Sequence, residues 1–379
     1  ALILMEPRIG GPAGGAGIPP VDYLDWYIPR LSENRPHDLS QSGYAHPWDI
    51  EADADWMLNF WSKGVNPAGW VADRHGVSTD RVCVAHGVSQ ALTMAILAAL
   101  PEHGARTIGV EMPSFGPVTQ CARLLGCEVI TFERDMETGE FDRDAVLEII
   151  GQVSVIVLTP MLNPTGHMLS RGDQDWLAMA THTEGVNVVS DEVYLDAARG
   201  TEFYRPMYMS GAHIISVNSL TKCYGLGSLR FGWLIGDAKL IANAQNAMYN
   251  LQGETSGPSM ALARIAFPRL DEALERLNAH RTANLPRLRK VLEAHDINWN
   301  EPPTGIFGLI PIGTDSVRAM ARHGAPLGLL ATPGSMFHAD LSDYLRIAWG
   351  GEPAAFQAAM PVLSRFLTRL EEERDTRSA

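Results

Sequence analysis

The stretch Ile214-Ile215-Ser216-Val217-Asn218-Ser219-Leu220-Thr221-Lys222-Cys223-Tyr224-Gly225-Leu226-Gly227-Ser228-Leu229-Arg230-Phe231-Gly232-Trp233-Leu234-Ile235 carries the reading of this chain. The apolar run 214–217 and the run 231–235 have the length of buried strands. Between them a glycine-rich loop begins with two hydroxyl residues and a lysine and ends in an arginine. Open α/β sheets keep their ligand sites at strand ends, which is where Lys222 falls. Ser219, Thr221 and Arg230 are groups that would hold a phosphate. A lysine beside a phosphate anchor points to a Schiff base with a phosphorylated aldehyde cofactor.

Outward from this loop, strands and helices alternate. Strands are expected at 82–85, 107–110, 128–132, 153–158 and 186–189, with helices at 89–100, 118–125, 142–150 and 170–182. Gly126 would close the second helix, and the acidic residue Asp142 would open the third. This alternation implies a largely parallel sheet covered on both faces. Further on, 259–295 reads as a long helical region with a one-sided apolar stripe, broken or kinked at Pro268 and Pro286. Strands at 305–311 and 344–348 and a terminal helix at 353–373 complete a smaller α+β unit.

The composition is that of a soluble globular protein: 379 residues, 46% hydrophobic and 20% charged. A formal net charge of -14 argues against nucleic acid as a partner. The four cysteines Cys83, Cys121, Cys127 and Cys223 show no CxxC pairing, so no metal site or disulfide framework is expected. No segment is apolar enough to cross a bilayer, and the start of the chain is too short an apolar run for a signal peptide; a cytoplasmic protein is expected. The Gly/Pro-rich stretch 10–20 reads as an extended arm.

Five further motifs lie along the chain. His86-Gly87-Val88-Ser89-Gln90-Ala91-Leu92 closes a strand and opens a helix, whose N-terminus attracts anions. Glu111-Met112-Pro113-Ser114-Phe115 and Asn163-Pro164-Thr165-Gly166 each follow a strand. Ser190-Asp191-Glu192-Val193-Tyr194 places a carboxylate at a strand end, where it could equally cap a helix. Tyr344-Leu345-Arg346-Ile347-Ala348, preceded by Thr332-Pro333-Gly334-Ser335-Met336-Phe337, puts an arginine inside an apolar strand. That arginine needs a partner: a bound carboxylate, or an internal one such as Asp343 or Glu301.

In this order the motifs resemble the fold-type I pyridoxal-phosphate enzymes, in particular the class I/II aminotransferase family, over about residues 35–350. The resemblance implies an α/β fold whose large domain holds a mostly parallel seven-stranded sheet between helices, beside a smaller α+β domain. The corresponding division is 1–40 for an N-terminal arm and part of the small domain, 41–255 for the large domain, and 256–379 for the interdomain helix and small domain. It implies pyridoxal 5'-phosphate as cofactor, held by Lys222 as an internal aldimine. Gly87, Val88, Ser89, Ser219, Thr221 and Arg230 would surround its phosphate, Phe115 would stack on its ring, Asp191 would keep the ring nitrogen protonated, and Asn163 and Tyr194 would bond its phenolic oxygen. Glu192 reads as a solvated or structural carboxylate. Arg346 would grip the substrate α-carboxylate. In Ser40-Gln41-Ser42-Gly43-Tyr44, which resembles the substrate-side loop, Gly43 would permit close approach and Tyr44 would face the side-chain pocket.

The activity implied is transfer of an amino group from an L-amino acid to a 2-oxo acid, with Lys222 moving the proton, in a homodimer with its site near the subunit interface. The family tyrosine that reaches the phosphate from the neighbouring subunit has no counterpart in Phe60-Trp61-Ser62-Lys63-Gly64-Val65-Asn66-Pro67-Ala68-Gly69-Trp70. Two other functions suit the same scaffold: C–S β-elimination or decarboxylation, and a non-catalytic pyridoxal-phosphate sensor domain. Trp26, Tyr27, Tyr44, Trp61 and Trp70 would suit an apolar substrate side chain or packing.

Overall fold

The computed structural model describes residues 21–33, 35–44 and 48–378. The arm expected at 10–20 lies outside them. The central sheet has seven strands: β1 (Val82–His86), β2 (Thr107–Met112), β3 (Glu128–Glu133), β4 (Val155–Leu158), β5 (Asn187–Asp191), β6 (Ile214–Ser219) and β7 (Phe231–Ile235). Their order across the sheet is β1-β7-β6-β5-β4-β2-β3. The pairs among β2 to β6 are parallel, and β7 runs against both of its neighbours. The mostly parallel sheet expected from the alternation is therefore present, and β7, the strand that follows the lysine loop, is its one antiparallel member.

Alternation within the strands explains why both faces are covered. Val155 and Val157 of β4 pack with Ala91, Ile96 and Ala244 of the helices α2 (Gly87–Ala99) and, further along the chain, Ala238–Leu251. Ile156 and Leu158 point the other way, onto Val146 and Ile150 of Arg143–Ile150 and Leu177 of Arg171–Glu184. A strand buried on both faces reads as an unbroken apolar run. Local chemistry sets the helix ends. Asp142 caps one helix through Asp144 N, Ser170 caps the next through Asp173 N, and Gly126, at φ +73°, follows the helix α3 (Gly116–Leu124).

The long helical region breaks at Pro268 into Gly257–Ala266, a short 3-10 turn, and the 25-residue helix Leu270–Ala294. Pro286, at which a break or a kink was expected, lies inside this helix without breaking it. Leu285, Leu288 and Leu292 are buried on either side of the proline, in one cluster with Leu363 and Phe366 of the terminal helix Pro353–Ser378, and this packing outweighs the one backbone hydrogen bond that proline removes.

The second sheet is antiparallel, with β8 (Phe307–Pro311) and β9 (Thr332–Pro333) on either side of β10 (Tyr344–Ala348). Its register sets Arg346 opposite Leu309 on one side and Thr332 on the other. The N-terminal segment joins this unit: His37–Asp38 pairs with Leu329–Leu330, and Ala348 N donates to Leu39 O at 2.9 Å. Before it stands the helix α1 (Asp22–Arg30).

Candidate active site

The C-terminal ends of β1, β2, β4, β5 and β6 lie along one edge of the sheet, and each leads directly into one of the motifs. β1 ends at His86, and Gly87 opens α2 with φ +73°. A side chain there would place its Cβ 2.5 Å from Arg230 Nη2, so glycine makes room for the guanidinium. Arg230 itself takes a left-handed conformation, φ 49°, at the start of β7. Such a conformation in a non-glycine residue is strained and recurs where ligands are clamped. Ser89, exposed in the first turn of α2, and Arg230 thus face the same turn. Ser219, buried, closes β6, and its Oγ accepts from Thr221 N at 3.3 Å.

Lys222 lies in the loop between β6 and β7. Its carbonyl accepts from Tyr44 N at 2.6 Å, and a Cβ on Gly43 would stand 3.3 Å from that carbonyl oxygen and 3.6 Å from Lys222 Cδ. The glycine in the 40–44 loop therefore allows the loop to come close to Lys222. The Lys222 ammonium lies 5.8 Å from the centre of the Tyr194 ring. Burial lowers its pKa below the ordinary lysine value; the Arg346 and Arg230 charges lower it further, against Tyr23 and Asp191.

Asp191 is the last residue of β5 and is buried. Its Oδ1 accepts from Val193 N at 3.1 Å, and among the described residues it forms no ion pair. Burial, with help from the nearby Glu111 carboxylate, pushes its pKa up to about 7 against Val193 N–H and Lys222. Asp191, Val88, Ser89 and Phe115 line a cavity of about 210 Å³ between α2 and α3. Tyr194 is buried beside it, with its hydroxyl 2.7 Å from Ser42 Oγ.

Arg346 is only 1% exposed. Nη1 donates to Asn163 Oδ1 at 2.9 Å, and Nη2 donates to Ser40 O at 2.9 Å, Thr332 Oγ1 at 3.4 Å and Tyr23 Oη at 3.5 Å. All four acceptors are neutral, and Nε has no partner among the described residues. The rings of Phe337, Phe307 and Tyr23 lie 4.9, 5.4 and 5.7 Å from the guanidinium carbon. The internal salt bridge left open by the sequence is absent among the described residues: Glu301 pairs with Arg289 instead. A buried guanidinium without a carboxylate is expensive, and a bound carboxylate would complete it.

The structure thus brings Gly43, Asn163, Asp191, Tyr194, Lys222 and Arg346 into one cleft, with Gly87, Ser89, Ser219, Thr221 and Arg230 at one end and Phe115 at its wall. One expectation changes, and two alternatives left open by the sequence are decided. Tyr44 turns away from the cleft, its ring 5.4 Å from His280, because its backbone is tied to Lys222 and its side chain packs over Gly225. Glu192 is not solvated: it is buried and accepts from Ser216 Oγ, Met207 N and Ser190 Oγ. Trp61 and Trp70 belong elsewhere: Trp61 donates to Thr255 O, and Trp70 packs on Phe231 and Phe267. Sequence reasoning missed Tyr23, Ser42 and Thr332. The Tyr23, Trp26, Tyr27 spacing on α1, one face of a helix, was the available signal for the first.

A lysine loop at the C-terminal edge of a doubly wound sheet, with an unpaired buried carboxylate and an unpaired buried guanidinium facing it, defines a class of cofactor-dependent α/β enzyme fold. The family described as aminotransferase class I and II matches residues 70–363, and the chain belongs to it. Among curated relatives, the histidinol-phosphate aminotransferase 1 of Bacillus cereus is 27% identical over 199 residues, 52% of each chain. The aspartate aminotransferase of Thermococcus kodakarensis is 26% identical over 287 residues, 74% of this chain and 73% of that one. The valine–pyruvate aminotransferase of Mycobacterium tuberculosis is 24% identical over 388 residues, 93% and 97%. The chain spans about half the length of the histidinol-phosphate enzyme it matches (52%). The fold is shared with the aspartate aminotransferase of Thermotoga maritima (TM-score 0.77, 18% identity, 93% of this chain and 98% of that one). It is shared equally with a PLP-dependent cyclase, OrfR (TM-score 0.77, 24% identity, 97% and 99%).

The family's cofactor is pyridoxal phosphate, and the residues present fit it. The unpaired Asp191 carboxylate suits a protonated ring nitrogen, the Gly87–Arg230 corner suits a phosphate, and the slot between Ser89, Phe115 and Asp191 is lined for a flat ring. Among the described residues no cluster of ligands could hold a metal ion, and no helix is long and apolar enough to cross a membrane.

Proposed function

We propose that this protein is a pyridoxal-phosphate-dependent aminotransferase that moves an amino group from an L-amino acid to a 2-oxo acid. The observation that carries the reading is Arg346: a buried guanidinium with neutral partners only, in the same cleft as Lys222. Both amino acids and 2-oxo acids present the carboxylate it lacks. The relatives named above share amino-group transfer in their names and differ in substrate, which supports the reaction class more than any one donor.

Bound here, pyridoxal phosphate supplies an aldehyde with which amines condense and a ring that draws electrons from a substrate's Cα. Ser89, Ser219, Thr221 and Arg230 would hold its phosphate beside the Gly87 and Val88 backbone, Asp191 its ring nitrogen, Asn163 and Tyr194 its phenolic oxygen, and Phe115 one face of the ring. Lys222 would hold the cofactor's aldehyde end, and its Nζ would move the proton at the substrate Cα. Burial lowers the Lys222 pKa, which favours the uncharged Nζ amine that this work needs. Arg346 orients the carboxylate, so the bond to hydrogen, rather than the bond to the carboxylate, is presented for cleavage. A gripped carboxylate disfavours decarboxylation on the same scaffold. Gly43 lets the loop close over Lys222. We further assign the large domain to 41–255 and the small domain with its linking helix to 256–379, in a homodimer.

The test is an absorbance scan of purified protein against a panel of amino acids, with 2-oxo acid analysed as product. True donors should convert the bound cofactor to its amine form. Pyruvate and ammonia released from cystathionine, with the cofactor unconverted, would replace this reading by a lyase. Borohydride should fix the cofactor to the wild-type chain and not to Lys222→Ala.

A further inference from the structure

The segment 39–44 crosses the cleft from Arg346 to the lysine loop and is tied at both ends. Leu39 O accepts from Ala348 N at 2.9 Å, and Ser40 O accepts from Arg346 Nη2 at 2.9 Å. At the far end Tyr44 N donates to Lys222 O at 2.6 Å. Ser42 lies between these ties, buried, with its Oγ 2.7 Å from the Tyr194 hydroxyl. Tyr194 is held as firmly: it is buried, and its ring meets Phe307 edge-on at 4.7 Å. Among the described residues Ser42 is the one hydrogen-bond partner of the Tyr194 hydroxyl. A serine pinned on both sides by backbone bonds cannot drift from that partner, so the contact is built into the path of the chain.

We propose that Ser42 is a positioning residue for Tyr194: its Oγ–H donates to the Tyr194 oxygen and so turns the phenol proton toward the cofactor's phenolic oxygen. This rests on Tyr194 meeting that oxygen, as read above. Two hydroxyls carry two protons, and only one can lie in the 2.7 Å gap between them. If Tyr194 fills the gap, it has no proton left to donate to a ligand. If Ser42 fills it, the phenol proton is free for the cofactor, and a hydroxyl that accepts one bond donates the next more strongly. A stronger donor at the phenolic oxygen favours its anionic form, which lowers the pH at which the lysine-bound cofactor gives up its proton. The charged and titratable groups facing Tyr194 do not replace this bond. Burial raises the phenol's pKa; Arg346 on β10, then Ser42, lower it, while Asp191 at the end of β5 and Cys223 in the lysine loop raise it. The Lys222 ammonium stands over the ring at 5.8 Å. Of these groups only Ser42 is hydrogen-bonded to the oxygen. Ser42 acts through Tyr194; the proton at the substrate Cα is left to Lys222.

The test follows the visible absorbance of the protein loaded with pyridoxal phosphate as pH is varied, a readout that needs no turnover. Ser42→Ala should raise the midpoint by about 0.5 pH or more, a change in proton affinity of roughly threefold. Tyr194→Phe should raise it further. Adding Ser42→Ala to Tyr194→Phe should then change nothing more, because the serine acts through the phenol. Ser42→Thr, which keeps the hydroxyl, should keep the wild-type midpoint. Ser42→Gly should match Ser42→Ala and covers the case in which the alanine variant does not fold. A merely structural role would loosen the cofactor without moving the midpoint. An unchanged midpoint in Ser42→Ala and Ser42→Gly overturns the proposal. An equal rise on the Tyr194→Phe background overturns it as well, since the serine would then act without the phenol. Midpoints as expected with no amino acid converted to a 2-oxo acid would sink the aminotransferase reading and leave Ser42 standing; amino transfer with an unmoved midpoint in Ser42→Ala would do the reverse.

Discussion

Arg346 on β10 and Asn163 after β4 are joined by a 2.9 Å hydrogen bond, so the two sheets meet at the guanidinium itself. The amide oxygen is engaged by Arg346, which leaves the amide N–H groups to donate elsewhere. Asn163→Ala should remove a charge-assisted bond, worth about 1.5–3 kcal/mol. We expect KM to rise by about tenfold or more for every amino donor. An unchanged KM would show that Arg346 is held without it.

Gly87→Ala forces a Cβ into the space of Arg230 Nη2 and onto a backbone at φ +73°. We expect the fold to survive and the affinity for pyridoxal phosphate to fall by about tenfold or more, as a charge-assisted phosphate contact is lost. Spectrophotometric titration of cofactor-free protein measures this. Equal affinity in the two proteins would remove Arg230 from the phosphate site.

The cofactor-free protein should be most stable in mild acid. Burial raises Asp191 to about 7 and Glu192 to about 8. Unfolded carboxylates titrate near pH ~4, so above that range the folded chain binds more protons than the unfolded one. Stability must then decline as pH rises through the folded values, from about 5 to about 8. Urea midpoints across this window check it, and Asp191→Asn should flatten the decline. A midpoint that climbs with pH contradicts the assignment.

Glu111 and Arg134 form a buried ion pair under the same edge of the sheet, and Thr159 N donates to Glu111 at 2.6 Å. Glu111→Ala strands a buried guanidinium and should cost about 3–5 kcal/mol in denaturant unfolding. The double variant Glu111→Gln with Arg134→Met should recover most of that loss. If the single variant unfolds like the wild type, the pair is not what holds this edge.

The chemistry at strand ends was legible because each motif sits where a periodic apolar run stops. Lys222, Asn163 and Asp191 could each be placed at such a stop, Arg346 stood out as a charge inside an apolar run, and the fold brings the four together. Residues that matter through tertiary contact alone left no such mark. Tyr23 lies on a helix whose pattern announces an aromatic face and says nothing about what that face covers. Tyr44 was placed by proximity to Gly43, but the backbone tie to Lys222 turns its side chain to His280. At Pro286 the helix continues where proline could have ended it, held by the packing of Leu285, Leu288 and Leu292.

The reversal of β7 has a consequence for how substrates could diversify on this frame. Because β6 and β7 are antiparallel neighbours, Lys222 and Arg230 belong to one short connection, and the spacing between the proposed nucleophile and the proposed phosphate anchor is set within that connection. Arg346 is borne by a separate sheet. A small shift of that sheet would lengthen or shorten the reach from carboxylate clamp to lysine and leave the other spacing untouched. The reacting end of the cleft is thereby insulated from changes at the end that measures the substrate.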